Sequence, residues 1–400
     1  MKFEMKNGTL VIFLEGGIDS TNASAVECEV EAIRAENPAE KLILNLEALE
    51  YISSAGLRVI LKLKKTCGGF SVTEASTEVY EIFEMTGFTD IMDISKRLKV
   101  MDISDCEVIG RGTRGTVYRY NSDTVVKIYH DLDSLPAIRR ERELSRKAFV
   151  LGIPTAISYE IVRIGDSYGS VFELINARNF SNAVSEEPEK IDYYAKLFAG
   201  LLKTIHTTRV NPGDMPSAKI MLKRWMKDAY GYVNSSADST GKFTVEDCDK
   251  LNALIEALPD ADTMIHGDYH TNNVMMQGDE AILIDMDTLS HGHPIFELAN
   301  IHVAYEGFAL VDKQIIEDFL GMTPELAKDF LYRFYAFYFG TENMDSLEPV
   351  FVKIRLLGNL RLLRHYFRRG LGDTDEGAKK LKVVADLLHE QLQGLDSLEF

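Results

Sequence analysis

Apolar and polar positions along the first hundred residues switch repeatedly between strand-like and helix-like spacing. MKFEMKNGTLVIFLEG reads as two strands around a turn at Asn7-Gly8, a hairpin signal. Residues 21–36 carry the spacing of an amphipathic helix, and KLILNL (41–46) reads as a buried strand. YISSAGLRVILKLKKT (51–66) begins a second helix, with Ser53 or Ser54 as its cap and Gly68-Gly69 as its stop. GFSVTEA (69–75) is then a strand, and TEVYEIFEMTG (77–87) a helix closed by Gly87. Alternation of this kind predicts a sheet with helices packed on it.

Further on, TVYRY (116–120) and TVVKIYH (124–130) are β-branched and aromatic strands, and AIRRERELSRKAFVLG (137–152) is a charged helix. AILI (281–284) is an apolar run of buried-strand type, and IFELANIHVAYEGF (295–308) is helix-like. The aromatic stretch LYRFYAFYFG (331–340) invites comparison with a cation-binding box, but its helical spacing assigns it to core.

At 400 residues the chain exceeds one ordinary core, so two or three domains are expected. The join falls near residues 96–105, too short and too apolar for a floppy tether. No apolar run approaches the roughly 20 residues of a membrane span, and MKFEMKNGT is not a signal peptide. Cys28, Cys67, Cys106 and Cys248 lack metal-ligand spacing and suit a reducing cytoplasm better than a disulfide framework. A net charge of −18 disfavours nucleic acid, whose phosphates demand a basic surface. A cytoplasmic protein with no nucleic-acid or membrane partner is therefore expected.

The candidate chemistry lies in HGDYHTNNVMM (266–276) and AILIDMDT (281–288). Asp268 and Asn273 form D-x-x-x-x-N, and Asp285 ends the apolar run. One acid to accept a hydroxyl proton, with an amide oxygen and a second acid to hold Mg²⁺, is the minimum equipment for phosphoryl transfer from ATP. Magnesium is a hard cation that takes oxygen ligands, so His266 and His270 are read as structural and no zinc is expected. Upstream, Gly110, Gly112 and Gly115 form G-x-G-x-x-G with Val117 two places on. That motif alone could announce a dinucleotide fold, but a strand follows it and not a helix, which favours a β-hairpin lid over phosphates. Lys127 on the next strand fits a lysine pairing the α- and β-phosphates; Glu141 and Glu143 on the charged helix compete as its anionic partner. Asp287 is read as supporting structure, and His206 as a packing residue at a helix end.

From about Asp105 onward the chain resembles the aminoglycoside phosphotransferase/choline kinase group of the protein-kinase-like superfamily. The resemblance rests on HGD, IDMD, ELSRKAFVLGIPTA and GHPIFELAN, the last with His293 and Glu297 where the family carries acidic residues. It implies Glu141 as the partner of Lys127, and VFELINA (171–177) as an interlobe hinge whose backbone at Glu173–Ile175 binds adenine. The passage from Asp285 to the next helix is short and lacks A-P-E, so little platform remains for a peptide and the expected acceptor is the hydroxyl of a small molecule. The glycine loop GRGTRGTVY is nearer to protein kinases, which bears on ATP and not on the acceptor.

LILNLEALEYISSAGLRVIL (42–61) and LEGGIDSTNA (14–23) resemble the STAS domain of anti-sigma-factor antagonists, with Asn45 and Ser53 where acidic residues are common. That resemblance implies Ser54 as phosphoacceptor and a protein partner for the module. The expected architecture is an α/β STAS domain (1–98) followed by a bilobal α+β protein-kinase-like fold (99–400), with a β-rich N-lobe over 99–175 and a helical C-lobe over 176–400. The expected function is ATP- and Mg²⁺-dependent phosphotransfer to a small hydroxylated substrate. The alternative is a partner-switch regulator whose kinase-like part senses nucleotide or phosphorylates Ser54 or a partner.

Overall fold

A computed structural model describes residues 1–6, 8–112, 115–130, 135–235 and 241–400. Asn7 of the expected turn, and Thr113 and Arg114 of the glycine motif, lie outside the described residues. Two compact units divide the chain: Met1–Asp102 with Ile161–Asp166, and Ile103–Glu160 with Ser167–Phe400.

The first unit is a five-stranded sheet in chain order: β1 (Lys2–Lys6), β2 (Thr9–Ile18), β3 (Lys41–Ile52), β4 (Gly69–Ala75) and β5 (Asp93–Lys96). β1 pairs antiparallel with β2, and the remaining pairs are parallel. Parallel neighbours need crossovers, supplied here by helices α1 (Ala23–Glu36), α2 (Ser54–Thr66) and α3 (Thr77–Met85). Alternate residues of β2 and β3, such as Leu10, Ile12, Leu42 and Leu44, are buried with Ile60, Leu63 and Phe83 of the helices. β3 extends past the expected KLILNL to Ile52, because Leu46, Leu49 and Ile52 remain buried beyond Asn45. The cap of α2 is Ser53, whose Oγ accepts from the Ala55 N–H at 3.2 Å; Ser54 is the exposed first helical residue. The join carries β6 (Lys99–Val100), which sequence spacing did not foreshadow. It pairs in parallel with Val162 and Arg163, which accounts for their grouping with this unit.

The second unit is β-rich at its start and helical after it. β7 (Glu107–Arg111), β8 (Gly115–Arg119) and β9 (Thr124–Tyr129) form an antiparallel meander. After helix α4 (Leu135–Val150), β10 (Ser158–Ile164) contributes its first three residues to this unit, and β11 (Ser167–Glu173) pairs antiparallel with β9. Gly115 is required by that meander, since a Cβ there would stand 2.4 Å from the Ile128 carbonyl oxygen. The helical part packs around Phe198, Phe330 and Phe334. The aromatic run 331–340 is core as its spacing predicts: helix Pro324–Phe339 buries Phe330, Leu331, Phe334 and Tyr335. His206 is buried at the end of helix Ile191–Thr207 with its Nδ1 2.7 Å from the Tyr338 hydroxyl. Burial lowers its pKa to about 3, so it packs as a neutral ring.

Candidate active site

β9 and α4 set the cationic corner of the site. The buried stripe of α4 runs through Ile138, Glu141, Leu144, Ser145 and Ala148, so helical spacing carries Glu141 into the interior among apolar neighbours. Lys127 on β9 meets it there, Nζ to Oε1 at 2.9 Å. Glu143, on another face, pairs instead with Lys147 one turn on, at 2.8 Å. The geometry thereby separates two glutamates that composition left equivalent. Tyr129, two residues along β9, donates its hydroxyl to the other oxygen of Glu141 at 2.8 Å. Lys127 also reaches Asp285 Oδ1 at 3.0 Å. Burial alone would lower the Lys127 pKa, but Glu141 and Asp285 outweigh it and raise it, so the ammonium stays charged.

Asp285 lies just past the strand Glu280–Leu283, which pairs antiparallel with Val274–Gln277. Its φ of +63° is left-handed, a conformation that costs a non-glycine residue about 1 kcal/mol or more. Backbone strain of this kind aims its carboxylate at Lys127 instead of continuing the strand. The ligand atoms of Glu141, Asp285 and Asp287 all lie within 4.8 Å of one another. This oxygen-only set fits a hard divalent cation. Both Glu141 oxygens are held by Lys127 and Tyr129, and Asp285 Oδ1 by Lys127. Asp287 was read as supporting structure; its register two residues from Asp285 was the available signal for more.

The loop with Asp268 is tied down from beneath. Glu297, fully buried on helix Ile295–Tyr305, accepts from the N–H groups of His266 (2.6 Å), Gly267 (3.0 Å) and Tyr269 (3.4 Å). Burial nevertheless pushes its pKa up to about 7. Asn300, one turn on, donates to the Gly267 carbonyl at 2.8 Å. Gly267 adopts φ +86°, and a Cβ there would come 2.7 Å from the Thr288 carbonyl oxygen, so this position needs glycine. Asn273 Nδ2 donates to the Asp268 carbonyl at 2.9 Å, leaving its amide oxygen as the atom available for a metal. His293 does not join this hub; its ring packs on Phe296 and Phe400.

Asp268 Oδ1 accepts from Arg361 Nη2 at 3.0 Å, and its Oδ2 lies 3.4 Å from His270 Nε2. Burial would raise its pKa, but His270 and Arg361 reverse that and hold it well below the usual carboxylate range. Arg361 sits on helix Glu348–Arg368, with no motif to mark it.

One cleft of about 770 Å³ gathers the sequence-predicted residues. Gly110, Gly112, Gly115 and Val117 line it with Lys127, Glu141, Glu173, Ile175, Asp268, Asn273, Asp285 and Asp287. At its hinge wall, the Glu173 N–H donates to the Ile157 carbonyl and the Leu174 N–H to the Asp123 carbonyl, whereas the Ile175 N–H meets no backbone acceptor among the described residues. Ser54 belongs to the other unit.

A model of the phosphotransferase enzyme family matches residues 105–338, and a STAS domain model matches residues 1–101. The N-terminal stretch is 36% identical over 93 residues to BtrV of Bordetella bronchiseptica, assigned as an anti-sigma factor antagonist. That match spans 22% of this chain and 79% of the relative. The anti-sigma F factor antagonist of Paenibacillus polymyxa is 27% identical over 113 residues, 27% of this chain and 96% of the relative. Among solved structures, ADP-bound aminoglycoside phosphotransferase APH(2'')-Ib superposes with a TM-score of 0.50 at 14% identity, over 78% of this chain and 98% of that one. A thermostable mutant of APH(4)-Ia, with AMP-PNP and hygromycin B, also gives 0.50 at 14% identity, over 73% and 95%. At such identities the likeness concerns the fold, which is the protein-kinase-like one expected. No helix among the described residues is long and apolar enough to cross a membrane.

Proposed function

The chain belongs to the phosphotransferase enzyme family and carries an N-terminal STAS domain, and from that premise we propose that it transfers the γ-phosphate of ATP to a hydroxyl of a small molecule. The carrying observation is the convergence of Lys127, Asp285 and Asp268 in the cleft beneath the glycine hairpin. Lys127, fixed by Glu141, orients the α- and β-phosphates; the backbone of the hinge at Glu173–Ile175 receives adenine. Asp285, Asp287 and Asn273 would hold Mg²⁺, which would supply neutralisation of phosphate charge. The acceptor oxygen bonds to the γ-phosphorus while the bond to the β,γ-bridging oxygen breaks, and ADP leaves with that electron pair. Asp268 takes the acceptor's proton. The test is ADP release by the full chain across a panel of hydroxylated metabolites. Release no faster than in acceptor-free controls for every compound would count against the small-molecule reading.

A second reading has its own support: Ser54 is exposed at the first position of α2, where free N–H groups and the helix dipole favour a phosphate. In that reading the STAS domain binds a protein partner and Ser54 accepts phosphate. Label from ATP retained on the protein, and lost in Ser54→Ala, distinguishes it.

A further inference from the structure

Three arginines share the face of helix Glu348–Arg368 that reaches Asp268, in a chain whose net charge is −18. Arg361, Arg364 and Arg368 recur at i, i+3 and i+7; His365 lies among them as a neutral ring, its pKa lowered to about 4 by burial and the neighbouring arginines. Arg364 is answered by Asp228 at 2.9 Å. Among the described residues Arg361 is answered by Asp268, through one guanidinium nitrogen. The aromatic neighbours close a circuit around this point. His270, whose Nε2 lies near Asp268 Oδ2, packs edge-on to Phe319 at 4.8 Å between centroids; Phe319 meets Phe308 at 6.0 Å, and Phe308 meets His365 at 5.8 Å, one turn from Arg361. His270 and Phe319 also line the cleft, so its acceptor end opens onto this circuit.

That arrangement poses a chemical problem. A carboxylate that must receive a hydroxyl proton has a guanidinium on Oδ1, with His270 Nε2 3.4 Å from Oδ2, and the guanidinium makes it a poorer base. A neutral acceptor has nothing to offer Arg361 in exchange. A cationic acceptor, the class suggested by an acidic chain, would add like charge beside Arg361 and Arg364. An acceptor bearing its own anion can take the guanidinium in a charge-assisted pair, bidentate where carboxylate or phosphate allows, and thereby release Oδ1 to its hydroxyl.

On the phosphotransferase reading above, we propose that the acceptor is a small hydroxylated compound carrying an anionic group, a carboxylate or a phosphate, a few bonds from the reacting hydroxyl, and that Arg361 is the specificity-determining residue that exchanges Asp268 for this anion.

The test uses the full chain and three acceptors of one skeleton: glycerol, glycerate and glycerol 3-phosphate. Each is titrated calorimetrically into the protein with Mg-ADP, and each is assayed for ADP release with Mg-ATP. Charged members should bind at least tenfold tighter than glycerol, and the carboxylate and phosphate arms report which anion is preferred. Arg361→Gln should bring the ratio near one, and Arg361→Lys, which keeps the charge, should retain part of it. Glycerol binding as tightly as its charged partners, no binding of either charged member, or a ratio unchanged in Arg361→Gln overturns the proposal. Turnover is judged separately. Charge-selective binding without ADP release keeps the anion subsite and counts against transfer to this skeleton, whereas ADP release indifferent to charge supports transfer and removes the anion subsite.

Discussion

Tyr129 donates its hydroxyl to the Glu141 oxygen that Lys127 does not use, so one buried carboxylate is held between an ammonium and a phenol. The glutamate is only 4% exposed, and each of its oxygens therefore needs a partner. Removing the phenol leaves one oxygen buried without a donor, and a bond to a charged group contributes about 1.5–3 kcal/mol. Tyr129→Phe should thus raise the KM for ATP several-fold and lower the melting temperature. Steady-state kinetics with a thermal scan check it; unchanged values in both would show that the phenol is only packing.

Asp268 and Asp285 are expected to fail differently. Asp268→Asn keeps the shape of the side chain but, if Asp268 is the proposed proton acceptor, should slow transfer by roughly 10²–10⁴-fold while nucleotide still binds. Asp285→Asn weakens an anchor of Lys127 and, on the proposed role, takes away a metal ligand, so Mg-dependent ATP affinity should fall. Titration of ATP with and without Mg²⁺ separates the two. Wild-type turnover in Asp268→Asn would exclude it as the base.

Asp287→Asn tests the oxygen set directly. If Asp285 and Asp287 share a cation, the Mg²⁺ concentration for half-maximal activity should rise about tenfold or more, the usual size of a lost metal contact. A Mg²⁺ dependence identical to wild type would confine Asp287 to a structural role.

Glu297 carries a pH signature. Its pKa is raised from 4.5 to about 7 in the fold, first by burial, so the native state retains a proton that the unfolded chain releases. Its contribution to stability is present below pH 4.5 and is lost as pH rises through about 7. Glu297→Gln, which is neutral throughout, should show a stability-versus-pH slope that differs over this window by at most about 1.4 kcal/mol per pH unit. Denaturant unfolding at pH 5, 6 and 7 measures it, and parallel slopes would mean the carboxyl does not titrate there.

In the first unit, Gly56 is a packing requirement. A Cβ would stand 2.7 Å from Ile52 Cγ1 and 2.8 Å from Ile18 Cγ2, at the close approach of α2 to β2 and β3. Overpacking of this kind costs about 1–3 kcal/mol. Calorimetry of Gly56→Ala should show a destabilised transition, and an unshifted thermogram would mean that the isoleucines repack freely.

Much of both folds was legible because local chemistry declares itself. Alternating apolar residues in β2, the glycine hairpin, D-x-x-x-x-N and the apolar run before Asp285 each combine a periodicity with a residue type, and both are visible in one dimension. The limits of β3 and the short β6 were less legible, since those strands depend on neighbours far along the chain. Ser53 and Ser54 were interchangeable by propensity; backbone geometry made the first the cap and left the second exposed.

By itself, then, the amino-acid order determined the two architectures, the sequence of their elements and the oxygen-bearing groups suited to a nucleotide and a hard cation. Only the tertiary structure decided which partner each group receives. Glu141 and Glu143 differ by two places on one helix, yet that rotation buries one against Lys127 and leaves the other with Lys147. Arg361 reaches Asp268 across 93 residues, a distance over which no periodicity carries information. Charges pair through space, and the folded chain alone specifies which of them come within bonding reach.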